Sequence, residues 1–370
     1  AVTALNSAVN DFVQANLVLP EGIYYAYDAQ TGKFLSRGAA WGTQAVVDDY
    51  GTALTVTANS DKQYSLKGID NNSTYGDDGA VYSDANGNRA RTYTVAKVEG
   101  GYTLTNTANS KFVAVNADNT LAGDAATATV WQFLTMAERD SSVAEKVKKA
   151  DKAAREAAGY GEDEELTLTE TAEVLTFKTG SAWTFTPNRS NSSASTNDNG
   201  TEVYQGTGQF TQTVENLTEG LYKVSFQGMY RDGSNADVAK NYDAGYNMSY
   251  AYLDANGTKI QVKSWGADRA SDTNPNSMGE FAALAADGKY MVEGLAAVGA
   301  DGVLNLTVNV PATHPNPLAP VFEITFDDEA STYDQLQELI SLANPEHYAD
   351  MVGTGSGKYT QASVEELAAA

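Results

Sequence analysis

Between Phe210 and Gly228 the chain repeats with a period of two, and that repeat limits what it can fold into. Phe210, Gln212 and Val214 alternate with Thr211, Thr213 and Glu215, the pattern of a half-buried strand. Asn216-Leu217-Thr218-Glu219-Gly220 reads as a turn, with Gly220 able to take positive φ. Leu221, Lys223, Ser225 and Gln227 then alternate with Tyr222, Val224, Phe226 and Gly228, so the second strand carries one apolar face. Leu217 before the turn and Tyr222 after it predict strands that pin two layers of a β-sandwich.

The wider stretch from Glu202 to Gly233, EVYQGTGQFTQTVENLTEGLYKVSFQGMYRDG, resembles the galactose-binding-like jelly-roll modules of secreted and surface proteins from Bacteroidota. The resemblance extends loosely over about residues 165 to 328. It implies a carbohydrate-associated β-sandwich and names no ligand.

A second β module is expected over residues 20–136, as short strands between Gly, Asn and Asp turns. The expected strands are 23–27, 34–36, 53–57, 63–66, 80–83, 92–97, 102–106, 112–115 and 130–134, with a hairpin turn at 84–88. A weak threefold repeat runs through it. Thr31-Gly-Lys-Phe-Leu-Ser36 matches Asn109-Ser-Lys-Phe-Val-Ala114, and Asp78-Gly-Ala-Val-Tyr-Ser83 reads as the third copy. The aromatic strands after them are Gln63–Leu66, Thr92–Val95 and Val130–Phe133. Three units of about forty residues, closing on Ala-Thr-Val-Trp-Gln-Phe, resemble a ricin-B-type β-trefoil. The Gln of that family's closing Gln-x-Trp is missing before Trp131.

Helices are expected around the modules. Leu5, Val9, Phe12 and Leu17 give a helical connector over residues 1–19, stopped by Pro20. Ser142-x-x-Glu145 reads as a capping box for a helix over 141–158, within a connector spanning 137–161. That helix shows an apolar stripe of Val143, Val147, Ala150, Ala154 and Ala157, and Gly159 stands as its C-cap glycine. The jelly roll takes residues 162–330, and 331–370 reads as a further helical connector or the start of the next module. The chain starts inside a helical pattern and stops without a closing element, which reads as a segment of a longer protein or a processed form.

Composition narrows the function. A net charge of −24 argues against nucleic acid, whose phosphates demand Lys and Arg, and against an anionic membrane surface. With no Cys there is neither a disulfide framework nor thiolate chemistry, and no run of about 18 apolar residues predicts a membrane span. His314 and His347 have no partner at metal-ligand or triad spacing, and Gly353–Lys358 fails the register of a phosphate loop. No catalytic residues, cofactor or metal site are therefore assigned. Calcium in Asp/Asn loops suits a jelly roll, but no ligand spacing names a site.

Sugar binding needs flat aromatic faces for C–H groups and rigid polar groups for hydroxyls. Around the polar loops 188–199, 232–247 and 267–276 that mixture is found: Tyr230-Arg231-Asp232 ends the central strand, the 235–247 loop holds Tyr242 and Tyr246, Trp183 and Trp265 flank it in sequence, and Arg269 follows. In the first module the candidate set is Trp41, Asp48, Asp49 and Tyr50. The reading is a mainly β, non-enzymatic, extracellular or cell-surface bacterial segment that binds polysaccharide or glycoprotein glycans. Two alternatives stand: a stalk or adhesin contacting other copies or surface proteins, and an accessory region of a longer glycoside hydrolase.

Overall fold

A computed structural model of the chain describes Phe12 and residues 16–59, 62–69, 73–77, 79–84, 91–161, 183–188, 190, 192–247, 249–310 and 320–324. Most of the expected connector at 1–19, the turn at 84–88 beyond Asp84, the helices after 331, both histidines and the glycine run at 353–358 lie outside these residues. The protein is mainly β, with three α-helices among the described residues. None of those helices is long and apolar enough to cross a membrane.

The first module is three successive units of four strands. They are β1 (Gly22–Asp28), β2 (Lys33–Arg37), β3 (Ala45–Asp48) and β4 (Leu54–Ala58); β5 (Gln63–Gly68), β6 (Ser73–Asp77), β7 (Val81–Ser83) and β8 (Tyr93–Val98); and β9 (Gly101–Asn106), β10 (Phe112–Val115), β11 (Leu121–Ala125) and β12 (Trp131–Leu134). Within each unit the first strand pairs with the fourth, as β1 with β4, β5 with β8 and β9 with β12. Between units β4 pairs with β5, β8 with β9, and β12 returns to β1. Six strands thus close into a ring, which leaves no free edge on the path. The other six form three hairpins, linked pairwise by the bridges Gln44–Tyr82, Val46–Thr120 and Ala80–Ala122.

The ring is filled by alternate side chains, among them Leu54, Val56, Tyr64, Leu66, Tyr93, Val95, Leu104 and Trp131. Trp131 is fully buried and so closely backed by the neighbouring strand that a Cβ on Gly101 would lie 2.3 Å from the Trp131 carbonyl oxygen.

Two details of the expected repeat change. Residues 78–83 hold β7, the second strand of a hairpin, whereas 31–36 and 109–114 hold first strands; the third copy is β6. Likewise 63–66 lies in β5, which opens a unit, and the closing strand of the first unit is β4. Strands β3, β6 and β11 had no sequence expectation. They are short and carry Gly, Asp or Ala, so their pairing in the hairpins, not intrinsic preference, holds them extended.

Helix α1 runs from Met136 to Ala157, starting six residues before the expected capping box. Its N-cap is Thr135: the backbone N–H of Glu138 donates to the Thr135 side chain, and the Thr135 N–H donates to Glu138 Oε2 at 2.8 Å. The Ser/Thr-x-x-Glu pattern therefore occurs twice, and the copy adjoining β12 caps the helix. At the other end Gly159 takes φ +85; its N–H donates to Glu156 and that of Tyr160 to Arg155, the double bond of a Schellman cap.

The second module holds two layers, antiparallel but for one parallel pair, Met229–Tyr230 beside Lys263–Ser264. One is the five-stranded sheet β13 (Thr184–Pro187), β16 (Gly208–Val214), β22 (Leu304–Val310), β18 (Tyr252–Ala255) and β19 (Thr258–Gln261). The other joins β14 (Ser195–Asn197), β15 (Gly200–Tyr204), β23 (Pro320–Ile324), β17 (Gly220–Asp232) and β20 (Lys263–Ser264), with β21 (Met291–Val298) on β17. The strands expected around the 216–220 turn are β16 and β17. They lie in different sheets, so the turn carries the chain between layers; Gly220 takes positive φ (159), and Asn216 also does, at φ 63. The layers approach closely: a Cβ on Gly294 of β21 would lie 2.7 Å from Ile260 Cδ1 of β19.

Two of the three expected polar loops contain regular structure. Ser234 caps helix α2 (Asn235–Asp243) by accepting from the N–H of Asp237, and residues 195–197 form β14. Helix α3 (Met278–Ala286), which had no sequence expectation, is capped by Ser277, with Glu280 Oε2 accepting from the N–H of Asn276.

Candidate functional site

The tip of the β2–β3 hairpin is a short 3-10 turn, Ala40–Gly42, where Trp41 takes φ 57. A bulky residue in the left-handed region is backbone strain. The turn holds it by bonds at several points: the Ala40 N–H donates to Gln44 Oε1, Gly42 N–H to the Ala39 carbonyl, and Arg37 Nη1 to the Gly42 carbonyl at 3.2 Å. The consequence is an indole 78% exposed, the most exposed of the large hydrophobic side chains described. The Tyr82 ring lies 5.8 Å from it at 33° between planes, held there by the Gln44–Tyr82 bridge. Two aromatic rings at a fixed angle give a firm surface for the C–H side of a sugar.

The other first-module candidates do not join Trp41. Antiparallel register puts Asp48 opposite Phe34, at the base of the same hairpin. There Asp48 Oδ1 accepts from the N–H groups of Tyr50 (2.9 Å) and Gly51 (2.6 Å), a turn-holding role. Asp49 pairs with Lys146 at 3.4 Å and Lys259 at 3.6 Å. Tyr50 is buried, and its ring meets that of Tyr252 at 5.9 Å. These three belong to a joint between the two β modules.

Arg139, which had no sequence expectation, is the centre of that joint. It is fully buried; its Nε donates to the Tyr50 carbonyl (2.9 Å) and its Nη1 to Gln261 Oε1 (3.0 Å) and Asp140 Oδ1 (2.7 Å). The guanidinium lies 5.3 Å from the Tyr25 ring centre and 5.8 Å from that of Tyr50, which stabilises the buried charge. Tyr25 Oη donates to the Asn247 carbonyl and accepts from the Asn247 N–H. Burial pushes the Tyr25 and Tyr50 phenols well above their ordinary range despite the nearby guanidinium. Burial also lowers the Lys146 amine, against the pull of Asp49. An arginine four residues before Val143, on the same helical stripe, is the sequence signal for this joint.

In the second module most of the expected aromatics are interior. Trp265 is fully buried and its Nε1 donates to the Pro275 carbonyl at 2.8 Å. Tyr230 is fully buried edge-on to Tyr250, and Tyr246 is buried against Tyr25 and Tyr50 in the joint. None of these three offers a ring face to solvent, because each closes a core with its apolar body. Tyr242 is half-buried and lies so close to Gly266 that a Cβ there would meet Tyr242 Cβ at 2.6 Å; burial raises its phenol. Arg269 Nη2 donates to both carboxylate oxygens of Asp243 (2.8 and 2.7 Å) and its Nη1 to the Gly266 carbonyl, tying the 267–276 loop to α2. Arg231 and Asp232 are half-buried at the end of β17, and Trp183 is half-buried before β13. The structure thus brings Tyr242, Arg269 and Trp265 to one region, with Tyr242 and Arg269 half-buried and Trp265 closed off. Among the described residues no cluster of three His, Asp or Glu is placed to hold a metal ion.

The described residues form a mainly β protein that carries an exposed aromatic platform at Trp41. No protein-family model matches the chain, and no curated protein matches it. Among solved structures it is similar to a salivary protein from Culex quinquefasciatus of the cysteine- and tryptophan-rich (CWRC) family, at 11% identity and TM-score 0.28, over 31% of this chain and 94% of that one. It is also similar to a GlcNAcα1-4Gal-releasing endo-β-galactosidase from Clostridium perfringens, at 13% identity and TM-score 0.27, over 30% of this chain and 32% of that one.

Proposed function

We propose that this chain is a glycan-binding segment without catalysis of its own, in which a β-trefoil and a jelly-roll β-sandwich are carried on an exported, cell-surface or extracellular protein. The closed six-stranded ring with three linked hairpins supports the trefoil reading, and the two mainly antiparallel layers support the sandwich. One observation carries the function: Trp41 is held in a strained conformation, exposed, beside Tyr82. Strain of this kind costs roughly 1–3 kcal/mol and clusters at functional sites. The ligand would be a polysaccharide or glycoprotein glycan that stacks a pyranose on the indole.

The test is a glycan array probed with the full chain and with Trp41→Ala. Binding that the substitution weakens tenfold or more, with the circular dichroism spectrum unchanged, is the expected result. Binding at parental strength without the indole would remove the platform from the account.

A structural reading is favoured by a separate observation, the joint at Arg139. A stalk or adhesin needs modules that transmit force without bending, and a buried three-way contact supplies that. Analytical ultracentrifugation of the full chain checks it, with self-association as the supporting result.

A further inference from the structure

The five-stranded sheet turns one face to its partner layer and the other outward. On the outward face the register sets Gln209 opposite Asn309, Thr211 opposite Thr307 and Thr213 opposite Asn305. The edge strand β13 extends two of these rows with Thr186 and Thr184. Between them the intervening residues, such as Phe210, Leu306 and Val308, are buried, so the alternation is clean. Gln209, Thr211, Thr213 and Asn305 are exposed.

What marks this face is its lack of charge. The chain has 48 Asp and Glu and 24 Lys and Arg, yet the rows across β13, β16 and β22 hold only hydroxyl and amide side chains. Glu215, two residues past Thr213, ends one side of the face with charge, and across the sheet the first charged group is Asp254 of β18, opposite Thr307. Beyond it the surface meets the joint, where Lys259 pairs with Asp49 and Tyr252 packs on Tyr50. A polyanion finds no cation on the open part, and a basic peptide finds no carboxylate.

The polar groups are also oriented. Gln209 Nε2 donates to Asn309 Oδ1 at 3.2 Å and Thr213 Oγ1 to Asn305 Oδ1 at 3.0 Å. Each pair uses part of its capacity, because an amide has two N–H donors and two acceptor lone pairs. Strands about 4.8 Å apart and alternate residues about 6.8 Å apart set these groups in a regular array. Each threonine adds a methyl beside its hydroxyl, so apolar and hydrogen-bonding points alternate, as C–H and O–H groups do around a pyranose.

From this we propose that the outward face of β13, β16 and β22 is a second glycan-binding surface, and that its ligand is an extended, neutral polysaccharide. The proposal rests on the reading of the chain as glycan-binding, but uses none of the residues that carry it.

Affinity electrophoresis of the full chain tests it, in gels containing barley β-glucan or galactomannan, with polygalacturonate as the charged control. Three proteins are compared: the parent, Trp41→Ala, and Thr211→Glu with Thr307→Lys. The last pair keeps a favourable cross-strand contact while filling the centre of the face with charge. Retardation of the parent by a neutral polysaccharide, weakened at least tenfold in the charged pair, is the expected result, with Trp41→Ala reporting separately what the indole adds. Should the charged pair unfold, Thr213→Lys with Asn305→Glu applies the same change one row along. The proposal is overturned by no retardation of the parent, by retardation in polygalacturonate alone, or by retardation that survives both charged pairs. Loss in Trp41→Ala alone would also overturn it while leaving the proposed function standing; loss in the charged pair alone would uphold the sheet face and leave the Trp41 platform to the glycan array.

Discussion

Replacing Arg139 by Met tests whether the two β modules fold as one body. The substitution keeps an unbranched apolar stem of similar reach and removes the guanidinium. The Tyr50 carbonyl and Gln261 Oε1 then lose donors at 2.9 and 3.0 Å in a site with no solvent exposure on the arginine. A buried polar group left without its partner costs about 1–3 kcal/mol, so the two together cost about 2–6 kcal/mol. The lost cation–π contact with Tyr25 and Tyr50 adds on the order of 1 kcal/mol, and relief of the buried charge offsets a similar amount. The expected destabilisation is about 3–5 kcal/mol, a large share of a typical domain's roughly 5–15 kcal/mol. Urea unfolding, followed by far-ultraviolet circular dichroism and by tryptophan fluorescence, measures it. The parent should unfold with the two signals coincident; in the variant the midpoint falls and the signals separate, because Trp131 and Trp265 report different modules. A variant within about 1 kcal/mol of the parent, with both signals still coincident, would refute the claim that Arg139 couples the modules.

Three further outcomes follow from the same contacts. Tyr25 and Tyr50 stay neutral in the fold well above the ordinary phenol value of 10.0, so the stability they contribute is fully present below that pH and falls as pH rises above it. Urea midpoints should therefore drop between pH 9 and 11, less steeply in Tyr50→Phe; an unchanged slope in that variant counts against the assignment. Thr135→Ala removes the capping box of α1 and should cost about 1 kcal/mol in the same titration, whereas Ser142→Ala should cost a few tenths, the reverse of what a helix beginning near 142 would give. Gly101→Ala places a Cβ 2.3 Å from the backbone oxygen of Trp131, so more than about 2 kcal/mol should be lost, seen as a lower thermal midpoint; parental stability would mean that β9 and β12 can move apart.

The sequence by itself determined most of the strands, the alternation that marks their buried faces, the threefold spacing of the first module and the glycine cap of α1. Each is a local signal: a side chain alternates because a strand alternates, and Gly159 sits at φ +85 because little else does so cheaply. Only the tertiary structure decided which of two Ser/Thr-x-x-Glu patterns caps the helix, since the winner is the one that β12 delivers at Thr135. It also decided that Ala45–Asp48 and Leu121–Ala125 are strands, because their partners hold them extended. Aromatics were the least legible feature. Trp41 and Trp265 are both followed by glycine near a turn, yet one is 78% exposed and the other fully buried. A ring gains by burial or by stacking on a ligand with the same chemistry, so which occurs depends on what the fold sets against it, and in the chain that neighbour is far away.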